Sequence, residues 1–194
     1  MSFDSPEAII ERLKAGNARF VADKAEGKLR DSDRRGELTD GQQPWAIILS
    51  CADSRVVPEL AFDTGLGELF VCRVAGNIAN TDTIASIEYA VANIGSPVIV
   101  VLGHDSCGAV TAAIKGGDNG YNLNHLLAQI LPAVEQCDSE EVNDVVRLNA
   151  ELSVDDLINR SEIIGDAVDD GNVLIVPAFY DLKDGSVTFL ELED

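Results

Sequence analysis

The fold of this chain is decided by the apolar run Trp45-Ala46-Ile47-Ile48-Leu49-Ser50-Cys51. The run lacks the alternation of a half-exposed strand, which is typical of a strand buried on both faces of a parallel sheet. Similar patterns predict strands at 68–74, 97–104 and 172–179, and the turn at Asp184-Gly185 predicts a hairpin-paired edge strand from Val187 to Leu192.

The segments between the strands carry the spacing and the end signals of helices. Helices are predicted at 6–22, 58–62, 81–94, 106–114, 122–137 and 139–168. Strands that alternate with helices favour an α/β fold, here a mostly parallel sheet of four strands with an antiparallel edge strand and helices on both faces. We expect residues 1–194 to form a single domain, because no linker or internal repeat interrupts the pattern. The polar segment from Asp23 to Gln43 is predicted to be a long connection.

The charge balance of the chain excludes two classes of partner. There are 34 acidic residues against 14 lysines and arginines, a formal charge of −20. A surface of this sign repels nucleic acid and anionic membranes, so we expect neither as a partner. The acid excess is typical of a halophilic protein, and equally of an ordinary acidic bacterial protein. The first 21 residues contain acids and no unbroken apolar core, so we expect no signal peptide and a cytoplasmic protein.

Two polar motifs directly follow two of the predicted strands. They are Cys51-Ala52-Asp53-Ser54-Arg55 and Gly103-His104-Asp105-Ser106-Cys107-Gly108. Ligand sites of open α/β sheets lie at the carboxyl ends of the strands. If the two strands are parallel neighbours, Cys51 meets His104 and Cys107 at one edge of the sheet.

Two thiolates and an imidazole form a donor set that suits zinc. Three protein ligands leave a fourth tetrahedral position free, which is the pattern of a catalytic site. The sequence therefore predicts one Zn²⁺ per chain, held by Cys51, His104 and Cys107. The alternative is two buried cysteines and a capping histidine. The remaining cysteines, Cys72 and Cys137, are expected to be structural.

Asp53 and Arg55 form the predicted catalytic pair. A zinc ion neutralised by two thiolates acidifies its water less than one held by histidines, so a hydroxide nucleophile needs further help. Asp53 can accept a hydrogen bond from that hydroxide, and the fork of Arg55 can hold Asp53 ionised. Two alternatives stay open: a surface ion pair of little consequence, and an Asp53 that itself binds the metal and closes the site.

These residues resemble the beta-class carbonic anhydrases over nearly the whole chain. Besides both motifs, the resemblance rests on Gly16-Asn17-Ala18-Arg19-Phe20, Phe70-Val71-Cys72-Arg73-Val74-Ala75-Gly76-Asn77 and Ser86-Ile87-Glu88-Tyr89-Ala90. It implies a carbonic anhydrase, a lyase that converts carbon dioxide reversibly to bicarbonate and a proton by attack of zinc-bound hydroxide. Cys51, His104 and Cys107 match the family's zinc ligands, and Asp53 and Arg55 match its catalytic dyad.

The resemblance also implies a homodimer or a dimer-based oligomer, with the N-terminal helix and arm, about residues 1–43, packed on the partner subunit. One subgroup of the family has a tryptophan three residues before the first zinc cysteine, which forms a non-catalytic bicarbonate site with an arginine and a tyrosine. Arg73 and Tyr180 are candidates for these two residues. Ile48 stands at the tryptophan position, which favours the subgroup with an open metal site.

Other functions stay open at this point. A relative that hydrolyses carbon disulfide or carbonyl sulfide would carry the same metal motifs. A non-catalytic zinc or bicarbonate sensor would keep Asp53 on the metal permanently. His125 is either a carrier of protons to buffer, since an unperturbed histidine titrates near neutral pH, or a structural or surface residue.

Overall fold

The computed structural model describes residues 3–139 and 141–191, and its centre is a five-stranded sheet. The strands are β1 (Ala46–Ser50), β2 (Leu69–Arg73), β3 (Val98–His104), β4 (Leu174–Tyr180) and β5 (Val187–Phe189). Their order is β2-β1-β3-β4-β5, and every pair is parallel except β4 and β5. The predicted sheet with its antiparallel edge strand is therefore confirmed. Leu192, the predicted end of the last strand, lies outside the described residues.

Helices connect the strands and cover the sheet. They are α1 (Pro6–Val21), α2 (Ser32–Glu37), α3 (Pro58–Ala61), α4 (Thr81–Tyr89), α5 (Gly108–Lys115), α6 (Tyr121–Leu127), α7 (Leu131–Gln136), α8 (Val142–Asn159) and α9 (Glu162–Asp169). A π-helical turn, Ala90–Ile94, continues α4. Within the described part of the chain, none of these helices has the length and apolarity needed to cross a bilayer.

The two faces of the sheet are buried by different helices, because successive side chains of a strand point to opposite faces. Ile48 of β1 shares an apolar cluster with Leu13 of α1 and Phe62 at the end of α3. Its neighbour Ile47 belongs to a second apolar cluster, together with Val154 of α8. This cluster also includes residues of α4 and α9. Burial on both faces explains why the decisive run of the sequence is apolar without alternation.

Two of the predicted helices are each divided in two. The predicted helix 122–137 breaks before α7, where Pro132 stands in the first turn; proline lacks the N–H that a continuous helix would need. The predicted helix 139–168 breaks at Ser161, whose hydroxyl accepts a hydrogen bond from the N–H of Ile164 (3.1 Å) and caps α9. Glu140, within the same predicted helix, lies outside the described residues.

The segment from Asp23 to Gln43 contains the short helix α2, which the sequence did not reveal. The segment lies against the loop that follows α3 in the same chain. There the N–H of Leu66 donates to the carbonyl of Leu29 (2.9 Å), and the guanidinium of Arg30 donates to the carbonyl of Thr64 (3.0 and 3.2 Å). These bonds give the polar segment an ordered path along its own subunit.

Candidate metal centre and active site

The carboxyl ends of β1 and β3 lie side by side, and the three predicted metal ligands meet there. The two strands pair in parallel up to Ser50 and Leu102. Cys51 directly follows β1, His104 ends β3, and Cys107 is the residue that precedes α5. One donor atom from each residue lies within 4.8 Å of the other two, and all three residues are buried.

The donor atoms of this cluster lie close enough together to hold a metal ion. Nδ1 of His104 lies 2.9 Å from the carbonyl oxygen of Asp105, so the ring proton is placed on Nδ1. Nε2 is then unprotonated, and its lone pair is available to a metal. Nε2 is buried and makes no hydrogen bond to the described residues, a costly arrangement that a metal would relieve. Bond lengths of about 2.3 Å to sulfur and about 2.0 Å to nitrogen are compatible with the spacing, so the site suits zinc.

The two thiols and the imidazole compete for protons. A hydrogen bond from Cys107 lowers the pKa of the Cys51 thiol, and the N–H groups of Asp53 and Gly76, each 3.4 Å from its Sγ, act in the same direction. The same contact, together with burial, raises the pKa of Cys107. Burial lowers the pKa of His104, but the neighbouring Cys51 outweighs this effect, so the pKa lies above its usual value. A divalent cation would replace these protons, since it binds the thiolate and neutral imidazole forms.

Asp53 and Arg55 form a two-pronged ion pair beside the cluster. Nε and Nη2 of Arg55 donate to Oδ1 and Oδ2 of Asp53 at 2.9 and 2.8 Å, and the N–H of Arg55 donates to Oδ1 at 3.0 Å. The hydrogen bond from the guanidinium holds the pKa of Asp53 well below its usual range. Oδ2 lies 4.0 Å from Nε2 of His104. It accepts only one of the three bonds and keeps acceptor capacity toward the cluster.

The loop between the second and third ligands is held by residues that the sequence did not point to. Ser106 has φ +53°, a left-handed conformation that costs free energy in a residue with a side chain. Its N–H donates to Oδ1 of Asn143 at the start of α8 (2.9 Å), and Oδ1 of Asp105 accepts from the N–H of Leu182 (3.0 Å). Asn143 and Leu182 come from distant parts of the chain, so no local pattern marks them.

Gly76, in the loop after β2, supports Cys51, the first of the predicted ligands. Its N–H donates to Sγ of Cys51, and its carbonyl accepts from Nδ2 of Asn149 on α8 (2.9 Å). Its φ is +74°, and an added Cβ would lie 2.6 Å from Cδ1 of Ile130. Both the conformation and the close approach therefore require glycine.

The other residues that the sequence singled out lie elsewhere. His125 is exposed on α6 and lines a cavity of about 670 Å³ together with Asp82 and Arg160; its role in proton transfer stays a prediction. Cys72 and Cys137 are free thiols outside the ligand cluster, and burial raises the pKa of Cys72 to about 11.

Comparison with known sequences defines the class of protein that this site belongs to. The carbonic anhydrase family model matches residues 46–187. Carbonic anhydrase 2 of Mycobacterium tuberculosis is 38% identical over 188 residues, covering 93% of this chain and 91% of that protein. The carbonic anhydrase of Mycolicibacterium smegmatis is 37% identical over 202 residues, covering 96% of this chain and 94% of that protein.

Solved structures that resemble this fold belong to the same class of protein. The β-carbonic anhydrase CafA of Aspergillus fumigatus has a TM-score of 0.77 at 22% identity, with 97% of this chain and 91% of that chain covered. One of two tetrameric β-carbonic anhydrases of Sordaria macrospora has a TM-score of 0.74 at 26% identity, with 95% and 97% covered. The chain belongs to the beta-class carbonic anhydrases. It is an enzyme of that class, which confirms the family predicted from the sequence motifs.

Proposed function

We propose that this chain hydrates carbon dioxide reversibly to bicarbonate and a proton, with one Zn²⁺ bound by Cys51, His104 and Cys107. The observation that carries the proposal is the buried Nε2 of His104, which has no hydrogen bond among the described residues, faces two thiols and lies 4.0 Å from an ionised carboxylate. The atom that would bind the metal and the carboxylate that would orient the nucleophile thus lie next to each other.

The chemistry is divided between the bound ion and the acid pair. Zinc, when bound, supplies the nucleophile by lowering the pKa of a water molecule. Oδ2 of Asp53 accepts a hydrogen bond from the O–H of the attacking group and so directs its lone pair toward the carbon of carbon dioxide. Arg55 keeps Asp53 ionised and fixes the plane of its carboxylate. Asp53 and Arg55 are the proposed catalytic residues.

The position of Asp53 favours an enzyme over a sensor. A sensor with a closed site needs Asp53 on the metal, whereas Asp53 here accepts three hydrogen bonds from Arg55. An Asp53 that is engaged in this way would not bind the metal, which Cys51, His104 and Cys107 would hold. This pairing supports the open-site form of the family.

Metal analysis combined with stopped-flow assays tests the proposal. We expect one zinc per chain and rapid hydration of carbon dioxide. Cys107→Ser should lose zinc and activity together, whereas the matched variant Cys137→Ser, outside the cluster, should keep both. Purified protein without tightly bound zinc, or full activity in Cys107→Ser, would overturn the assignment. A kcat/KM for carbonyl sulfide above that for carbon dioxide would favour the related hydrolase instead.

We also propose a homodimer or dimer-based oligomer in which the N-terminal helix and arm, about residues 1–43, contact the partner. β2 lies at one edge of the sheet and offers a place for a second copy, and the Sordaria macrospora relatives are described as tetrameric. Sedimentation of the protein as a single chain at micromolar concentration would contradict this assembly.

A further inference from the structure

Arg73 ends β2, and its guanidinium binds the loop that carries the first ligand and the catalytic pair. Nε donates to the carbonyl of Cys51 (3.0 Å), and Nη2 donates to the carbonyls of Asp53 (2.7 Å) and Val56 (2.9 Å). The parallel register, which pairs Arg73 with Ser50, places the side chain beside this loop. A planar guanidinium that bonds three carbonyls of one loop restrains the backbone at three points.

In this structure the guanidinium of Arg73, which the resemblance made a candidate for a bicarbonate site, donates to backbone carbonyls instead. Tyr180, the other candidate, lies on β4, and two strands separate it from β2. At a spacing of about 4.8 Å per strand, the two backbones are roughly 14 Å apart. Nε and Nη2 of Arg73 already donate to backbone carbonyls, and Ile48 is buried in the core.

The backbone of Asp53 is held on both sides. Its N–H donates to Sγ of Cys51 (3.4 Å), and its carbonyl accepts from Arg73. With both flanking peptide groups fixed, only the side-chain torsions of Asp53 remain to be set, and Arg55 sets them through its fork. The position of Oδ2 relative to the ligand cluster therefore depends on Arg73 as well as on Arg55.

We propose that Arg73 is a positioning residue for the catalytic pair: its hold on the loop 51–56 keeps Asp53 facing Arg55, with Oδ2 turned to the ligand cluster. The proposal rests on the proposed function. Zinc binding itself does not require Arg73, since Sγ of Cys51 has donors of its own in the N–H groups of Asp53 and Gly76. Loss of Arg73 thus affects turnover more than metal content.

Arg73→Lys tests this positioning role, because lysine keeps the charge and loses the planar fork. We expect kcat to fall about tenfold or more, the usual scale for partners of site residues, with zinc content unchanged and KM changed far less than kcat. Arg30→Lys is the matched control. Arg30 also donates through its guanidinium to a backbone carbonyl, that of Thr64, but away from the cluster, and its variant should keep the wild-type kcat.

A second measurement reads the pair directly and needs no activity. In ¹⁵N-labelled zinc-loaded protein, the Nε–H of Arg55 donates to Asp53 and should exchange slowly with water; its signal is assigned by its loss in Arg55→Lys. We expect Arg73→Lys to accelerate this exchange several-fold. The Nε–H of Arg19, which donates to Asp63 at 2.7 Å, is an internal control that should not change.

The outcomes separate this inference from the proposed function. Wild-type kcat and unchanged Arg55 exchange in Arg73→Lys would overturn the positioning role, even if the wild-type enzyme hydrates carbon dioxide rapidly. A kcat that falls only in proportion to lost zinc would also overturn it, because Arg73 would then serve the metal and not the pair. Absence of hydration in the wild type would overturn the function, while the exchange measurement would still decide the role of Arg73.

Discussion

Two aspartates of this enzyme are each paired with an arginine, but they differ in burial and in their other hydrogen-bond partners. Asp53 binds Arg55 beside the ligand cluster, with 18% of the aspartate side chain and 55% of the arginine side chain exposed. Asp63 binds Arg19 of α1, and its side chain is only 1% exposed. It accepts from Nε of Arg19 (2.7 Å) and from the N–H groups of Glu26 (2.9 Å) and Gly27 (3.0 Å).

The two carboxylates differ in which of their oxygens can still accept a hydrogen bond. Asp63 directs its oxygens to donors of α1 and of the following segment, so it ties these parts to the end of α3. The carboxylate of Asp53 accepts its three hydrogen bonds from Arg55 and keeps acceptor capacity on Oδ2 toward His104. Strong pairing is common to both, and what makes Asp53 a candidate for catalysis is the direction of its remaining lone pair.

Asp63→Ala should have the largest effect on folding and little on chemistry. The change removes the acceptor of two backbone N–H groups and of Arg19, whose side chain is 37% exposed and regains some water. We expect this to cost about 2 kcal/mol of unfolding free energy. Urea unfolding measures this loss, and kcat per folded molecule should stay at the wild-type value. A loss below about 1 kcal/mol would mean that the network is no stronger than a surface ion pair.

Asp53→Ala should show the opposite pattern. We expect kcat to fall about 100-fold or more, the scale of lost general acid–base assistance, while zinc content stays at the wild-type level. The unfolding free energy should change by less than about 1 kcal/mol, because Arg55 is more than half exposed and regains water. Stopped-flow hydration and urea unfolding of the same preparation check both parts. Undiminished hydration would remove Asp53 from the mechanism.

The smallest effect is a pH dependence of stability that belongs to Asp63. Burial alone raises the pKa of Asp63, but hydrogen bonds from Arg19 and two backbone N–H groups outweigh it and lower the pKa to about 2, against 3.8 for the free group. A carboxyl group whose pKa is lower in the folded state than in the unfolded state stabilises the fold at pH values above its unfolded-state pKa. This contribution is lost as the pH falls toward its folded-state pKa.

The stability difference between wild type and Asp63→Asn should therefore be constant near neutral pH and narrow between about pH 4 and pH 2. Unfolding free energies measured across this range give the difference directly, and subtraction removes the contribution of the other acids. A difference that does not narrow would show that Asp63 keeps an ordinary pKa in the fold.

The parts of the structure that the sequence predicts are those with local causes. The apolar runs predict β1 and β3 because burial on both faces removes polar alternation, and the proposed metal ligands lie at or just after the ends of those runs. Asp53 and Arg55 stand two residues apart, so their pairing is visible in the motif.

The remaining contacts join residues far apart in the chain. Arg19 and Asp63 are 44 residues apart, and Asn143 reaches Ser106 over 37. Their side chains are ordinary polar residues until the fold brings them together. The break before α7 had a local signal in Pro132, but proline is also tolerated in the first turn of a helix, so its effect on the preceding turn was missed.

Gly76 has a consequence for engineering this enzyme. Replacement of glycine by alanine is a common route to a more heat-resistant protein, since it restricts the unfolded chain. At Gly36, within α2, an added methyl group meets nothing within 4 Å, which makes it a suitable position. At Gly76 the same change would strain a backbone with φ +74°, crowd Cδ1 of Ile130 and disturb the donor to Sγ of Cys51. Stabilisation programmes and randomised libraries should therefore leave this position unchanged.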